Sequence, residues 1–465
     1  MKTFPATKLY ALAFGLFLGL CIWKFGNPVI LDTAIIPPTT LNEYWHDAWP
    51  LHWTKDLLLA FAGWGGWLIF RQTGPWPRPK SLWLLPLGWL GWQVVSATQS
   101  VDGELTAATF WQLSGCVACY FIGLRVLARD GVWRWLMPGL FAAFIYCLIC
   151  AVNQRLFEFP QDRQFLVDGQ QANWTNFPAE TIAQMKRDHA IITTNGMDVA
   201  NPQLLEKFAR GRVFGTLVYP NALAGIILLL FPMLLVWLLK RLRGLKLVIQ
   251  VSAPSLVILL GTTAFFWSGS KLGWLLGLGI GGVFLLKRPW PLRLKLIATG
   301  LVLVVGLGLF SLRFQNYIAT GAHSANARMD YWRAAAETTV AHPIFGTGPG
   351  TFQRPYAQIK SPGEEMARLA HNDYLEQFSD SGIPGGLLYV AWITLALWVV
   401  GRGAWRDNNK PLFFAVFAGL LGWFVQGLGE FSLYVPALAW TAFTLLGCLA
   451  GQTKAETSLN TPAHR

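Results

Sequence analysis

One stretch of this chain carries residue types that can do acid–base chemistry: His371-Asn-Asp-Tyr-Leu-Glu-Gln-Phe-Ser-Asp-Ser-Gly-Ile-Pro-Gly-Gly386. Imidazole is the side chain that exchanges a proton near neutral pH, so His371 is the candidate general base. The spacing predicts a short helix from Asn372, with Tyr374, Glu376 and Phe378 in its first turns. Gly382 stops it, and Pro384 opens the apolar run that follows. Glu376 lies a little over one turn beyond His371, and two roles for it stay open: orienting the imidazole or facing water. The competing reading of His371 is an interfacial histidine that caps a helix.

Three cations lie in comparable settings. Arg212 precedes the apolar run at 221–239, and Asn221 follows Pro220 at the start of that run, where its side chain can cap free amides. An arginine fork there can bind a phosphate bidentately, or it can snorkel to lipid headgroups. Lys271 stands in Trp267-Ser-Gly-Ser-Lys-Leu-Gly273 between two apolar runs. A charge at membrane depth is a functional hypothesis or an interfacial anchor. Arg328 lies near the start of a segment, 326–336, that reads as an amphipathic helix. His342-Pro-Ile-Phe-Gly-Thr-Gly-Pro-Gly350 follows it, and its glycine spacing fits neither nucleotide-binding motif, so it reads as a tight turn that packs the loop on the bundle. His342, followed by proline, reads as structural.

The elements that must position these residues are membrane helices. Of 465 residues, 54% are hydrophobic and only 13% charged, with 24 Trp; soluble domains carry about twice that charge. Apolar runs lie at 8–24, 57–70, 82–98, 107–128, 133–152, 221–239, 247–265, 272–286, 292–312, 383–401, 411–426 and 435–450. This predicts an all-α, polytopic membrane bundle of about 12 transmembrane helices. The net charge of +13 is topogenic and implies no nucleic-acid partner. With the N-terminus inside, the inward loops hold 17 Lys and Arg and the short outward connections only Lys55 and Lys271, a clear positive-inside bias. Both termini are then cytoplasmic. The expected organisation is one integral membrane domain over 1–451, with two long outer loops at 153–212 and 313–382 and a short cytoplasmic tail at 452–465. The first run reads as a retained helix and not as a signal peptide.

Cys116 and Cys119, and Cys147 and Cys150, form two C-x-x-C pairs. Both lie inside apolar runs, where cysteine acts as a small apolar residue, so neither metal nor cofactor is expected.

Four pieces in order resemble the O-antigen ligase and polymerase superfamily of bacterial envelope glycosyltransferases. They are Arg212-Val-Phe-Gly-Thr with Pro220-Asn-Ala-Leu-Ala224, Ser268-Gly-Ser-Lys271, His342 to Gly350, and His371 to Gly382. The match covers residues 205–400 in detail; family members commonly have Arg where this chain has Lys271. The resemblance implies transfer of a glycan from a polyprenyl-pyrophosphate lipid to an acceptor hydroxyl, by direct, inverting, metal-independent attack at the periplasmic face of the inner membrane. His371 would be the base and Arg212, Lys271 and Arg328 the pyrophosphate ligands, with Asn221, Asn372, Tyr374 and Glu376 supporting. The implied partners are the lipid-linked donor, membrane lipid, and an acceptor: lipid A core for a ligase, a second glycan for a polymerase, or protein for an oligosaccharyltransferase. A transporter of a small anion or lipid-linked sugar is the rival class; it predicts polar residues and broken helices at the bilayer midplane.

Overall fold

The computed structural model describes residues 4–72, 74–129, 131–319, 323–363 and 365–453. Its elements are α1 (Phe4–Lys24), α2 (Leu41–His46), α3 (His52–Phe70), α4 (Ser81–Ala97), α5 (Gly103–Phe121), α6 (Met137–Asn153), α7 (Phe159–Gln171), α8 (Ala179–Arg187), β1 (Ile191–Thr194), β2 (Met197–Ala200), α9 (Pro202–Arg210), α10 (Pro220–Arg241), α11 (Leu247–Ser268), α12 (Lys271–Lys287), α13 (Leu292–Ala319), α14 (His323–Ala341), α15 (Gln353–Ile359), α16 (Asp373–Arg406), α17 (Pro411–Gln426) and α18 (Pro436–Gln452).

Each of the twelve apolar runs falls on a helix. Local signals explain several starts: Pro220, Pro411 and Pro436 each occupy a first helical position, where the missing N–H costs nothing. Seven segments are long and apolar enough to cross a membrane: Ala6–Lys24, Gly103–Leu127, Trp133–Gln171, Pro220–Arg241, Leu247–Ser268, Leu292–Tyr317 and Asp373–Arg406. The chain is a multi-pass membrane protein. Helices α4, α12 and α18 have 17 residues each and α17 has 16, short of the ~20 that a perpendicular span needs.

Both long loops differ from a plain polar connection. Helix α6 continues through a wide turn at Gln154–Glu158 into α7, so the first 19 residues assigned to the loop extend a membrane helix. The hairpin β1–β2, antiparallel with Ile191 opposite Ala200, is a small exception to the all-α expectation. It packs with Leu166 and Trp174 into a core of its own. In the second loop α13 runs to Ala319, α14 contains the predicted 326–336 helix, and Tyr331, Ala334, Ala335, Phe352 and Tyr356 form another small core. The tail lies outside the described residues from 454 onward.

The bundle's main core is aromatic, with Trp89, Tyr120, Tyr389, Trp392, Trp423 and Trp440 buried. Cys21, Cys116, Cys119, Cys147 and Cys448 are buried there as free thiols. Against α4, the first turns of α16 are held by polar contacts. Trp89 Nε1 donates to Gln377 Oε1 at 3.2 Å, and Ser381 Oγ donates to Gln93 Oε1 at 2.6 Å. Buried in an apolar bundle, such satisfied pairs fix one register.

Candidate active site

Asn372 caps α16 from an extended backbone, its Oδ1 accepting from Tyr374 N at 3.1 Å and Leu375 N at 3.0 Å, which satisfies two orphan amides. His371 therefore sits just before the helix, in a left-handed conformation with φ of 52°, uncommon for a residue with a side chain. Its ring lies between Tyr331 of α14, centroids 5.7 Å apart, and Phe431, at 4.7 Å. At Gly382 the helix breaks with φ of 69° and ψ of −179°, where a Cβ would collide with the Ile344 carbonyl oxygen. The glycine-rich turn docks at this break: Gly348 N donates to Asp380 O at 2.8 Å and Gly350 N to Asp380 Oδ2 at 2.6 Å. It does pack the loop on the bundle.

Arg212 is placed by a turn that Gln154 staples from inside. Gln154 Oε1 accepts from Phe214 N at 3.1 Å and Gly215 N at 2.9 Å, while its Nε2 donates to Gly215 O at 2.9 Å. The Arg212 guanidinium then donates from Nε to Ser268 O at 2.9 Å and from Nη2 to Asn221 Oδ1 at 3.1 Å. Burial lowers the Arg212 pKa, Glu430 opposes that shift, and Arg328 adds to it. Asn221 is not a helix cap: Tyr219 holds the cap position of α10 without a side-chain bond. The Asn221 amide instead bridges Arg212 to Glu430, with Nδ2 2.7 Å from Glu430 Oε1.

Glu430 is the residue that sequence reasoning missed. It is 1% exposed in the turn between α17 and α18. Its Oε1 accepts from Arg328 Nη2 at 2.6 Å as well as from Asn221, and its Oε2 stands 3.8 Å from His371 Nδ1. Neither that oxygen nor that nitrogen has a hydrogen-bond partner among the described residues. The turn is tied to the histidine's own helix, because Asp373 N donates to Gly427 O at 2.7 Å and Leu433 N donates to the Asp373 carboxylate. One signal in the sequence could have found it: Glu430 is the lone acid in the apolar connection 427–434, and acids in that setting rarely lack a partner.

The structure thus joins Arg212, Asn221, Arg328 and His371 around Glu430. Lys271 is the first residue of α12 and lies beside that group. Its ammonium sits 3.9 Å from the centre of the Tyr317 ring and 5.4 Å from that of Phe314. Burial and then the Arg212 and Arg328 charges lower its pKa to about 8. Two supporting residues point elsewhere. Glu376 is fully buried and accepts from Ala370 N at 2.9 Å, so it neither orients the imidazole nor faces water. Tyr374 donates to Phe424 O at 2.9 Å and packs on Tyr389. His342 has an exposed side chain; what its segment contributes to structure lies in the backbone.

Chemically, the cluster offers two guanidinium groups and an ammonium next to an imidazole that faces a carboxylate. That set can hold a polyanion and move a proton. Residues 254–390 match the family model described as O-antigen ligase. Over this segment, less than half of the chain, the protein is similar to the O-antigen ligase family. The matched O-antigen ligase segment carries Lys271, Arg328 and His371, while Arg212, Asn221 and Glu430 lie on either side of it and join it only in the fold. No curated protein matches the chain.

Proposed function

We propose that the protein transfers a glycan from a polyprenyl-pyrophosphate donor to an acceptor hydroxyl, with lipid A core as the preferred acceptor, at the periplasmic face of the inner membrane. The observation that carries this reading is the convergence of Arg212, Arg328 and His371 on Glu430. Pyrophosphate leaves with growing negative charge, which positioned cations stabilise. Arg212, Arg328 and Lys271 supply them without a general acid, and a direct displacement of this kind inverts the anomeric carbon and calls on no metal.

In the proposed step the acceptor oxygen bonds to the anomeric carbon as the bond from that carbon to the pyrophosphate oxygen breaks. The hydroxyl proton passes to His371. Because Nδ1 faces Glu430, Nε2 is the nitrogen that takes it, and Glu430 then balances the imidazolium. The 3.8 Å separation is long for a hydrogen bond, and catalytic contacts of this type tighten when substrate binds. A pyrophosphate must also compete with Glu430 for Arg328 and Asn221.

Arg212, His371 and Glu430 lie in the turns beside helix ends, and Arg328 lies in the second turn of α14, which is outside the seven segments long and apolar enough to cross a membrane. That supports surface transfer over transport through the bilayer. Twelve spans with both termini inside would put this end of the bundle outside, in agreement with the basic inward loops. The deciding experiment incubates purified protein with a polyprenyl-pyrophosphate glycan and separate lipid A core, glycan and protein acceptors, and identifies products by mass. A product on lipid A core is expected; no transfer to any acceptor would overturn the reading.

A further inference from the structure

Two of the three cations assigned to the donor are held by hydrogen bonds: Arg212 to Ser268 O and Asn221 Oδ1, and Arg328 to Glu430 Oε1. Lys271 is held differently. Its ammonium lies 3.9 Å from the centre of the Tyr317 ring and 5.4 Å from that of Phe314, residues three apart and so on one face of α13. The charges that act on it are Arg212, Arg328, Arg313 and Arg210, all of its own sign. A lysine on its flexible four-carbon stem would swing away from them into water. The negative face of an aromatic ring keeps an ammonium in place without neutralising it.

Tyr317 has a second attachment. Helix α13 kinks at Phe314, where φ is −113° and ψ is 16°, and Tyr317 lies on the short piece beyond. Its hydroxyl stands 2.9 Å from Ser324 Oγ and accepts from Ala325 N at 3.1 Å. Both partners lie in the first turn of α14, and Arg328 follows Ala325 by three residues. The hydroxyl therefore holds the turn from which Arg328 reaches Glu430 Oε1 at 2.6 Å. We infer that Tyr317 is a positioning residue of the donor site: its ring face sets the Lys271 ammonium, its hydroxyl sets the start of α14, and Lys271 and Arg328 are thereby held at one separation for a single pyrophosphate. The inference rests on the reading above. Glu430 balances Arg328 in the ion pair, and the bound pyrophosphate brings the negative charge that Lys271 lacks.

The test uses the full chain in detergent, with inorganic pyrophosphate as the ligand and calorimetry as the readout. Tyr317→Phe keeps the ring and removes the hydroxyl; it should weaken pyrophosphate binding about threefold and leave the titration of Lys271 where it is. A ring-trifluorinated phenylalanine at the same position keeps that shape and drains the negative face of the ring. Relative to Tyr317→Phe, it should weaken binding about threefold more and lower the midpoint of the Lys271 titration by about half a pH unit. That midpoint is read without any donor, from the pH dependence of Lys271 acetylation followed by peptide mass. In a Lys271→Ala background the two rings should bind pyrophosphate equally, because the ring acts through the ammonium. A ring that only packs would give none of these differences. Equal midpoints and affinities for the two rings with Lys271 present overturn the inference, and so does a difference that persists in Lys271→Ala. Wild-type affinity in Tyr317→Phe overturns the part given to the hydroxyl. Each of these results leaves the pyrophosphate site standing. If the wild type binds no pyrophosphate, the proposed function falls first, and this inference with it.

Discussion

Glu430→Gln separates the two roles that the geometry gives this carboxylate. The amide keeps its shape and its acceptor oxygen, so the turn between α17 and α18 should remain folded; only the charge goes. Across 3.8 Å a unit charge pair is worth about 4 kcal/mol at an effective dielectric of 20. His371 is 29% exposed and Arg328 shares the carboxylate, so about half of that, ~2 kcal/mol, is a fair share for the imidazolium formed in the transfer step. The turnover number should fall about thirtyfold. Donor binding should move the other way. Arg328 no longer has to leave a carboxylate to reach the pyrophosphate, and a partly exposed ion pair is worth ~1 kcal/mol, so KM for the donor should drop about fivefold. Steady-state transfer from a polyprenyl-pyrophosphate glycan, with product measured by mass at matched membrane protein levels, gives both constants. A turnover number within twofold of wild type would refute the assignment of Glu430 as the counter-charge, whatever happens to KM.

His371→Ala should cost ~10²–10⁴-fold in transfer with pyrophosphate binding intact by calorimetry; near wild-type transfer would put the base elsewhere. Lys271 is a cation only below about pH 8, so kcat/KM should fall as pH rises through that value. Lys271→Arg should remove this fall, and an unchanged profile would take Lys271 out of the donor site. Gly350, with φ of 76° and a position where a Cβ would strike Thr109 Oγ1, should not tolerate Ala: a loss of ~1–3 kcal/mol should appear as a lower Tm. Single cysteines replacing Lys186 and Met329 should label from the periplasm, and one replacing Arg243 only after permeabilisation; the reverse pattern would place the site on the wrong face.

Much of the architecture follows from local chemistry. Each apolar run became a helix because a bilayer leaves a buried backbone few other ways to satisfy its amides. The helix start at Asn372, its stop at Gly382 and the tight turn at 346–350 are local features that spacing exposed; the Asp380 on which that turn docks lies 30 positions away. The match over 254–390 agrees with motifs that could be read in order along the chain. What the sequence could not decide was which charges meet. Glu430 is 102 positions from Arg328 and 209 from Asn221, and only the packing of α10, α14, α16 and the turn before α18 brings them together. Asn221 looked like a cap because helix starts favour that use, yet the tertiary fold set a guanidinium on one side of its amide and a carboxylate on the other. Glu376 looked available to His371 by helical spacing. The chain folds back at Ala370 and takes it with a backbone amide, because a carboxylate buried in an apolar bundle must accept from the nearest donor the fold provides.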